Sequence, residues 1–147
     1  MLAACGGAAF QSHDDVDVTI ADRRVLVRDD SGAIIVDKRQ VGKVDDKGKI
    51  TNSRKQLLAF VYEDSIRIKG GTTLPIKTDP DGALYIPEGA QRQAGLQPTR
   101  SRVRPDGRVS SMKGAKGIAG KGLGNARARR ILLAVLLLDA NGMWGAE

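Results

Sequence analysis

The sequence predicts an all-β domain of about five repeated β-hairpins in a ring- or barrel-like arrangement, followed by one short hydrophobic helix. Three observations carry this reading. Four tight-turn signals recur, Asp29-Asp30-Ser31-Gly32, Asp45-Asp46-Lys47-Gly48, Asp79-Pro80-Asp81-Gly82 and Arg104-Pro105-Asp106-Gly107, with a degenerate fifth at Glu63-Asp64-Ser65. Short runs of Val, Ile and Leu flank each turn. A single uninterrupted apolar run, Ile131–Leu138, stands near the C-terminal end.

The turns share one chemistry. Asp or Pro suits the first positions of a type I turn, and an Asp side chain bonds the backbone two residues on. Gly then takes the left-handed position that closes a hairpin with a bulge. Gly32, Gly48, Gly82 and Gly107 are therefore the structural turn glycines. The steps are 16 residues from Gly32 to Gly48, 17 to Ser65, 17 to Gly82 and 25 to Gly107, the excess falling in a loop within residues 87–99. Expected pairings are Val25–Val27 with Ala33–Val36, Val41 and Val44 with Ile50, and Leu57–Tyr62 with Ile66–Ile68. Leu74 and Ile76 are expected to meet Leu84–Ile86, and Val103 to meet Val109. Between residues 25 and 110 no stretch free of Gly and Pro keeps the helical period. A single hairpin is not stable alone, so the hairpins must share a core, and closing them on one another removes exposed edges.

With 147 residues and a hydrophobic fraction of 41%, one domain with a real core is affordable. Only five aromatic residues are present, Phe10, Phe60, Tyr62, Tyr85 and Trp144, so that core must rest on aliphatic side chains. The run after Asn125 supplies eight of them. Asn125 caps a helix whose end falls near Asn141-Gly142. Eight apolar residues are far short of the roughly 20 that cross a bilayer. The segment 125–141 is expected to pack on the β domain, the rival being a helix lying in the plane of a membrane surface. The expected organisation is a start and tether at 1–15, the hairpin domain at 16–111, a flexible Gly/Lys-rich linker at 112–124, the helix at 125–141 and a tail at 142–147.

Charge is uneven. Residues 92–130 hold 11 Lys/Arg against one acid, Asp106, whereas residues 1–91 nearly balance with 13 bases and 14 acids. Lys113, Lys116, Lys121, Arg127, Arg129 and Arg130 are the expected contacts to an anionic partner, if one is bound. The stretch carries no aromatic residue for stacking and no helix-turn-helix pattern, which argues against nucleic acid. The Gly-rich segment is neither a P-loop nor a dinucleotide fingerprint: Gly120-Lys121 is followed by Gly122, and Asn125 stands where the latter needs its last Gly. One Cys and one His, Cys5 and His13, leave no intramolecular disulfide and no ordinary zinc set. A lone His in a tether cannot build a triad, and the Asp residues cluster at turns. No cofactor or metal is expected, and the chain reads as non-enzymatic.

The opening Leu2-Ala3-Ala4-Cys5-Gly6-Gly7 resembles the lipobox of bacterial lipoproteins, in which the cysteine thiol takes the lipid. Only four residues precede Cys5, too few for a leader. Either the reading frame starts further upstream, or the leader has been trimmed, or the short match is coincidental. Gly6 in place of Asp leans the resemblance towards the outer membrane, where the host has one. The x-Val-x-Asp-x-Gly-x-Ile repeat, the lipobox-like start and the apolar tail together resemble the bacterial β-flower proteins. Those are shallow flowers of β-hairpins related in shape to the tubby and scramblase barrels, in which a hydrophobic helix threads the centre. The resemblance implies a lipid-anchored envelope protein with a binding or structural role and carries no established activity with it. The alternative is a basic cytoplasmic protein binding nucleic acid or anionic lipid through residues 92–130.

Overall fold

The computed structural model describes residues 15–20, 22–111 and 117–145. It is mostly β, with two antiparallel sheets and one long C-terminal helix. The first sheet contains β1 (Val16–Ile20), β2 (Arg23–Val27), β3 (Ala33–Val36), β4 (Arg39–Val44), β5 (Lys49–Asn52), β6 (Leu57–Val61), β7 (Ser65–Ile68) and β8 (Thr73–Pro75). The second contains β9 (Lys77–Thr78), β10 (Leu84–Tyr85), β11 (Arg102–Val103), β12 (Arg108–Ser110) and β13 (Ile118–Ala119). In both, strand order follows the sequence, so each is a meander of hairpins. A short helix α1 (Glu88–Gln93) lies between β10 and β11, and α2 (Ala126–Ala140) is followed by a 3-10 turn at Met143–Gly145.

The two-residue period places the core. In β1, Val16, Val18 and Ile20 are buried while Asp17 and Thr19 point away. Val25, Ile34, Ile50, Ile66, Val103 and Val109 are wholly buried in the same way. The turns explain the registers. At the second tip the Gly48 amide donates to the Asp45 carbonyl and the Asp45 amide to that of Lys49. The Asp45 carboxylate accepts the Lys47 and Lys49 amides, both at 2.9 Å. The φ angles of Gly32, Gly48, Gly82 and Gly107 are +75°, +90°, +84° and +88°. Gly48 is constrained twice, since a Cβ there would also stand 2.4 Å from the Val61 carbonyl oxygen. Four of the five tips are tied to the segment that follows by one recurring bond: the Gly32 carbonyl accepts from Val44, Gly48 from Val61, Asp64 from Ile76, and Gly107 from Gly120. The repeat is thus one of hydrogen bonds as well as of residues.

Two segments differ from the expected layout. Leu74 pairs back with Ile66, not forward with Leu84–Ile86, and it is Lys77 and Thr78 that pair with Tyr85 and Leu84. Ile76 still donates its amide to the Asp64 carbonyl, continuing the pairing of Pro75 with Ser65, and the chain changes partners at Lys77. Thr73–Thr78 is therefore one extended run shared between the sheets. The second difference lies in the expected linker, where Ile118–Ala119 pairs with Arg108–Val109 and Leu123 is buried in the core. Gly117, Gly120 and Gly122 serve close packing: a Cβ at Gly122 would stand 2.2 Å from the Asp15 carbonyl oxygen. Beyond β13, the amides and carbonyls of Asp17 and Lys121 exchange two bonds, of 3.1 and 2.9 Å.

Asn125 caps α2, its side-chain oxygen accepting the Ala128 amide at 2.8 Å. All eight residues Ile131–Leu138 are buried, and α2 packs against β6, β10 and β11. They join the strand residues in one hydrophobic cluster, leaving no apolar face of α2 for a bilayer in this structure. No helix among the described residues is long and apolar enough to cross a membrane. Gly142, at φ +61°, takes the left-handed position after the helix. The Asn141 side chain donates to the Leu137 carbonyl at 2.9 Å and also binds the Gln97 backbone at 2.7 and 3.1 Å. Nearby, the fully buried Gln91 side chain is satisfied by Ile86 and Thr99 backbone groups, which fixes α1 and the 94–99 loop on the domain.

Candidate functional site

The basic residues singled out by the sequence are not presented as one free stripe. Arg127 is exposed and donates to the Asp45 carbonyl at 2.8 Å. Arg129 is half-buried and donates to the Leu123 carbonyl at 2.9 Å. Arg130 is half-buried, and Lys121 is exposed beside Asp17. Lys113, Lys116 and Cys5 lie outside the described residues. Elsewhere in the basic stretch, Arg92 and Arg100 both bind Glu88, and Arg102 binds Asp79. Three of the eleven bases are therefore paired with two acids from before residue 92, which a count along the chain cannot reveal.

Two clefts flank α2. The first, about 380 Å3, lies at the helix N-terminal end between the tips at Asp29–Gly32 and Asp45–Asp46. Its walls carry both signs: Arg28, Lys43 and Arg127 against Asp29, Asp30, Asp45 and Asp46. Asp15 and Val16 enter the domain at this same end, where Asp15 pairs with Arg28 at 3.2 Å. The second cleft, about 600 Å3, lies at the other end, with Ile20 and Leu136 among its lining and Arg23, Arg92 and Arg100 around it. Arg23 is held there by Asp139 through two bonds, of 2.9 and 2.6 Å.

Four carboxylates, those of Asp17, Asp45, Asp79 and Glu88, are occupied by the architecture. The Arg24 guanidinium beside Asp17 holds its carboxyl below the usual range, and the Lys49 and Lys47 amides do the same for Asp45. At Asp79 burial works in the opposite direction, but the Ala83 amide, Arg102 and the Asp81 amide together hold its carboxyl low. Arg92 and Arg100 lower that of Glu88. A carboxylate locked into its charged form by donors is a structural brace and is poorly suited to carry a proton near neutral pH. No group of three or more His, Cys, Asp or Glu among the described residues is placed to hold a metal ion.

Sequence reasoning did not separate the outward from the inward side chains of Leu57–Tyr62. Phe60 and Tyr62, two apart, lie on the outer face and stack with ring centroids 6.0 Å apart and an interplanar angle of 16°. Their spacing was the available signal, since residues two apart share a face of a strand. Comparison with protein-family models, curated proteins and solved structures finds no match to the chain.

Proposed function

We propose that the chain is a non-enzymatic, lipid-anchored bacterial envelope protein of the β-flower type, a binding or structural module whose hairpins ring a central hydrophobic helix. Two junctions support the ring: Thr73–Thr78 is shared by both sheets, and Asp17 and Lys121 join β1 to the segment after β13. The helix then provides the core that an aromatic-poor set of hairpins lacks.

The observation that carries the anchoring is where the chain enters the domain. Asp15 and Val16 stand at the end of α2 that bears Arg127, with Lys121 bonded to the adjacent Asp17. The ten residues 6–15 reach at most about 35 Å when extended. A lipid on Cys5 would therefore hold this end towards the bilayer, where Lys121, Arg127 and Arg130, with Lys113 and Lys116, would meet anionic headgroups. Two acyl chains plus a basic patch are enough for stable attachment. An outer-membrane address follows from Gly6 where the host has that membrane.

The test is acylation in a bacterial host expressing the full reading frame with labelled palmitate. The wild-type protein should take up label and partition with membranes, and Cys5→Ser should do neither. Equal label in both proteins overturns the reading.

A further inference from the structure

We infer that the hollow around Tyr62, at the hairpin tip between β6 and β7, binds the sugar ring of an oligosaccharide. This inference does not depend on the lipid anchor, since none of its residues belongs to the segment 1–15.

The tip departs from the repeat in a specific way. At three other tips the Asp carboxylate is used by its own turn: Asp45 accepts Lys47 and Lys49, Asp79 accepts Asp81 and Ala83, and Asp106 accepts Arg108. The tip at residues 62–65 closes by backbone alone, the Tyr62 amide donating to the Ser65 carbonyl at 2.8 Å. Glu63 and Asp64 are exposed, and neither side chain makes a hydrogen bond or ion pair among the described residues. The same holds for the side chains of Ser65, Arg67 and Thr73, which line the hollow with them. Carboxylates, a guanidinium and two hydroxyls thus converge on one place with their hydrogen-bonding capacity unspent.

The platform beside them is aromatic. Tyr62 is 43% exposed in a chain with five aromatic residues, and Phe60 beneath it holds the ring in place. Register sets Lys49 and Arg67 on either side of Phe60. A flat π-face attracts the slightly positive C–H hydrogens on one side of a pyranose, and the surrounding donors and acceptors match its hydroxyls. The hollow is shallow and open, so a sugar would lie on it with one face exposed rather than be enclosed. Charge selects among occupants: Glu63 and Asp64 repel the phosphates of nucleic acid or anionic lipid, while Arg67 repels a bare cation. A neutral polyhydroxylated ring satisfies both signs.

The experiment uses the full chain, isotopically labelled, titrated separately with cellohexaose, maltohexaose and chitohexaose. At least one should shift the backbone amides of residues 62–67 saturably. Tyr62→Ala should weaken that binding about tenfold or more, as loss of a stacking contact does, whereas Tyr62→Phe should keep it. Asp64→Asn paired with Glu63→Gln should weaken binding without moving the melting curve. The inference is overturned if none of the three sugars shifts these amides, if the shifts survive Tyr62→Ala, or if anionic vesicles or single-stranded DNA perturb the patch instead.

Discussion

Arg102 donates a hydrogen bond to the Asp79 carboxylate at 2.7 Å and lies over the Tyr85 ring, 4.0 Å from its centroid. Both charged side chains are only 15% exposed. Asp79 at the same time accepts the Asp81 and Ala83 amides of its own turn. One carboxylate thus closes the β9–β10 hairpin and fastens it to β11.

Asp79→Asn should destabilise the domain by about 1–3 kcal/mol at neutral pH, because a charged acceptor is replaced by a weaker one at a largely buried site. The sign of the pH dependence follows from the lowered folded-state pKa of Asp79. Its contribution is fully present above the unfolded value, about 3.9, and is lost as pH falls through the folded one. Urea melts should show a constant gap between wild type and variant from pH 7 to about 5, narrowing towards pH 3. A gap that persists undiminished at low pH would mean that the ionised carboxylate is not what stabilises the turn.

Gly48→Val should lower the melting temperature clearly while Lys49→Thr leaves it near the wild-type value. Valine at positive φ costs on the order of 1–2 kcal/mol or more, and its Cβ would also crowd the Val61 carbonyl, 2.4 Å away. Lys49 is exposed in a strand, where threonine is well tolerated. Indifference to Gly48→Val, measured by thermal circular dichroism, would show that this tip is not in the left-handed conformation.

What the sequence makes legible here is local. The Asp-x-x-Gly tips read directly from the chain because turn geometry depends on a few adjacent residues, and the two-residue alternation in Val16–Ile20 and Ile66–Ile68 follows from the pleat. The capped helix reads for the same reason, from Asn125 and the apolar run after it. The partner of Leu74 was not legible, since a proline between two apolar residues does not say on which side of it the strand changes sheets. Nor was the pairing of Ile118–Ala119, because glycines that admit a close backbone and glycines that loosen a linker look alike in sequence. The basic stretch misleads for a third reason. Glu88 and Asp79 reach Arg100 and Arg102 only through the fold, so charge counted along the chain overstates the charge available to a partner.

The Asp17–Lys121 junction gives a separate test of the ring. In wild type the Asp17 and Lys121 amides should exchange with deuterium as slowly as those inside β2–β7, because each is bonded across the junction. Gly122→Val should speed exchange in β1 and β13 selectively, since a Cβ at this position collides with the Asp15 carbonyl at 2.2 Å. Uniform exchange rates in the variant would count against a ring closed at this junction.

The last prediction concerns the dependence of the hairpins on α2. Leu132, Leu133, Val135, Leu137 and Leu138 are wholly buried, and their neighbours across the interface include Leu58, Val103 and other aliphatic strand residues of the same cluster. Each large apolar side chain withdrawn from water contributes roughly 1.5–3 kcal/mol, so the helix as a whole is comparable to the net stability of an ordinary domain. The strands gain equally, because without α2 their inner faces have few aromatic side chains to fill the space between them. Leu133→Asp or Leu137→Asp should therefore cost several kcal/mol and unfold sheet and helix together in one transition, as an unpaired carboxylate has no partner in that core. A chain ending at Asn125 should retain β structure at most as an expanded state that binds hydrophobic dye and lacks a cooperative melt. A sharp β transition surviving that truncation would show that the hairpins hold a core of their own and that α2 is an attachment to it.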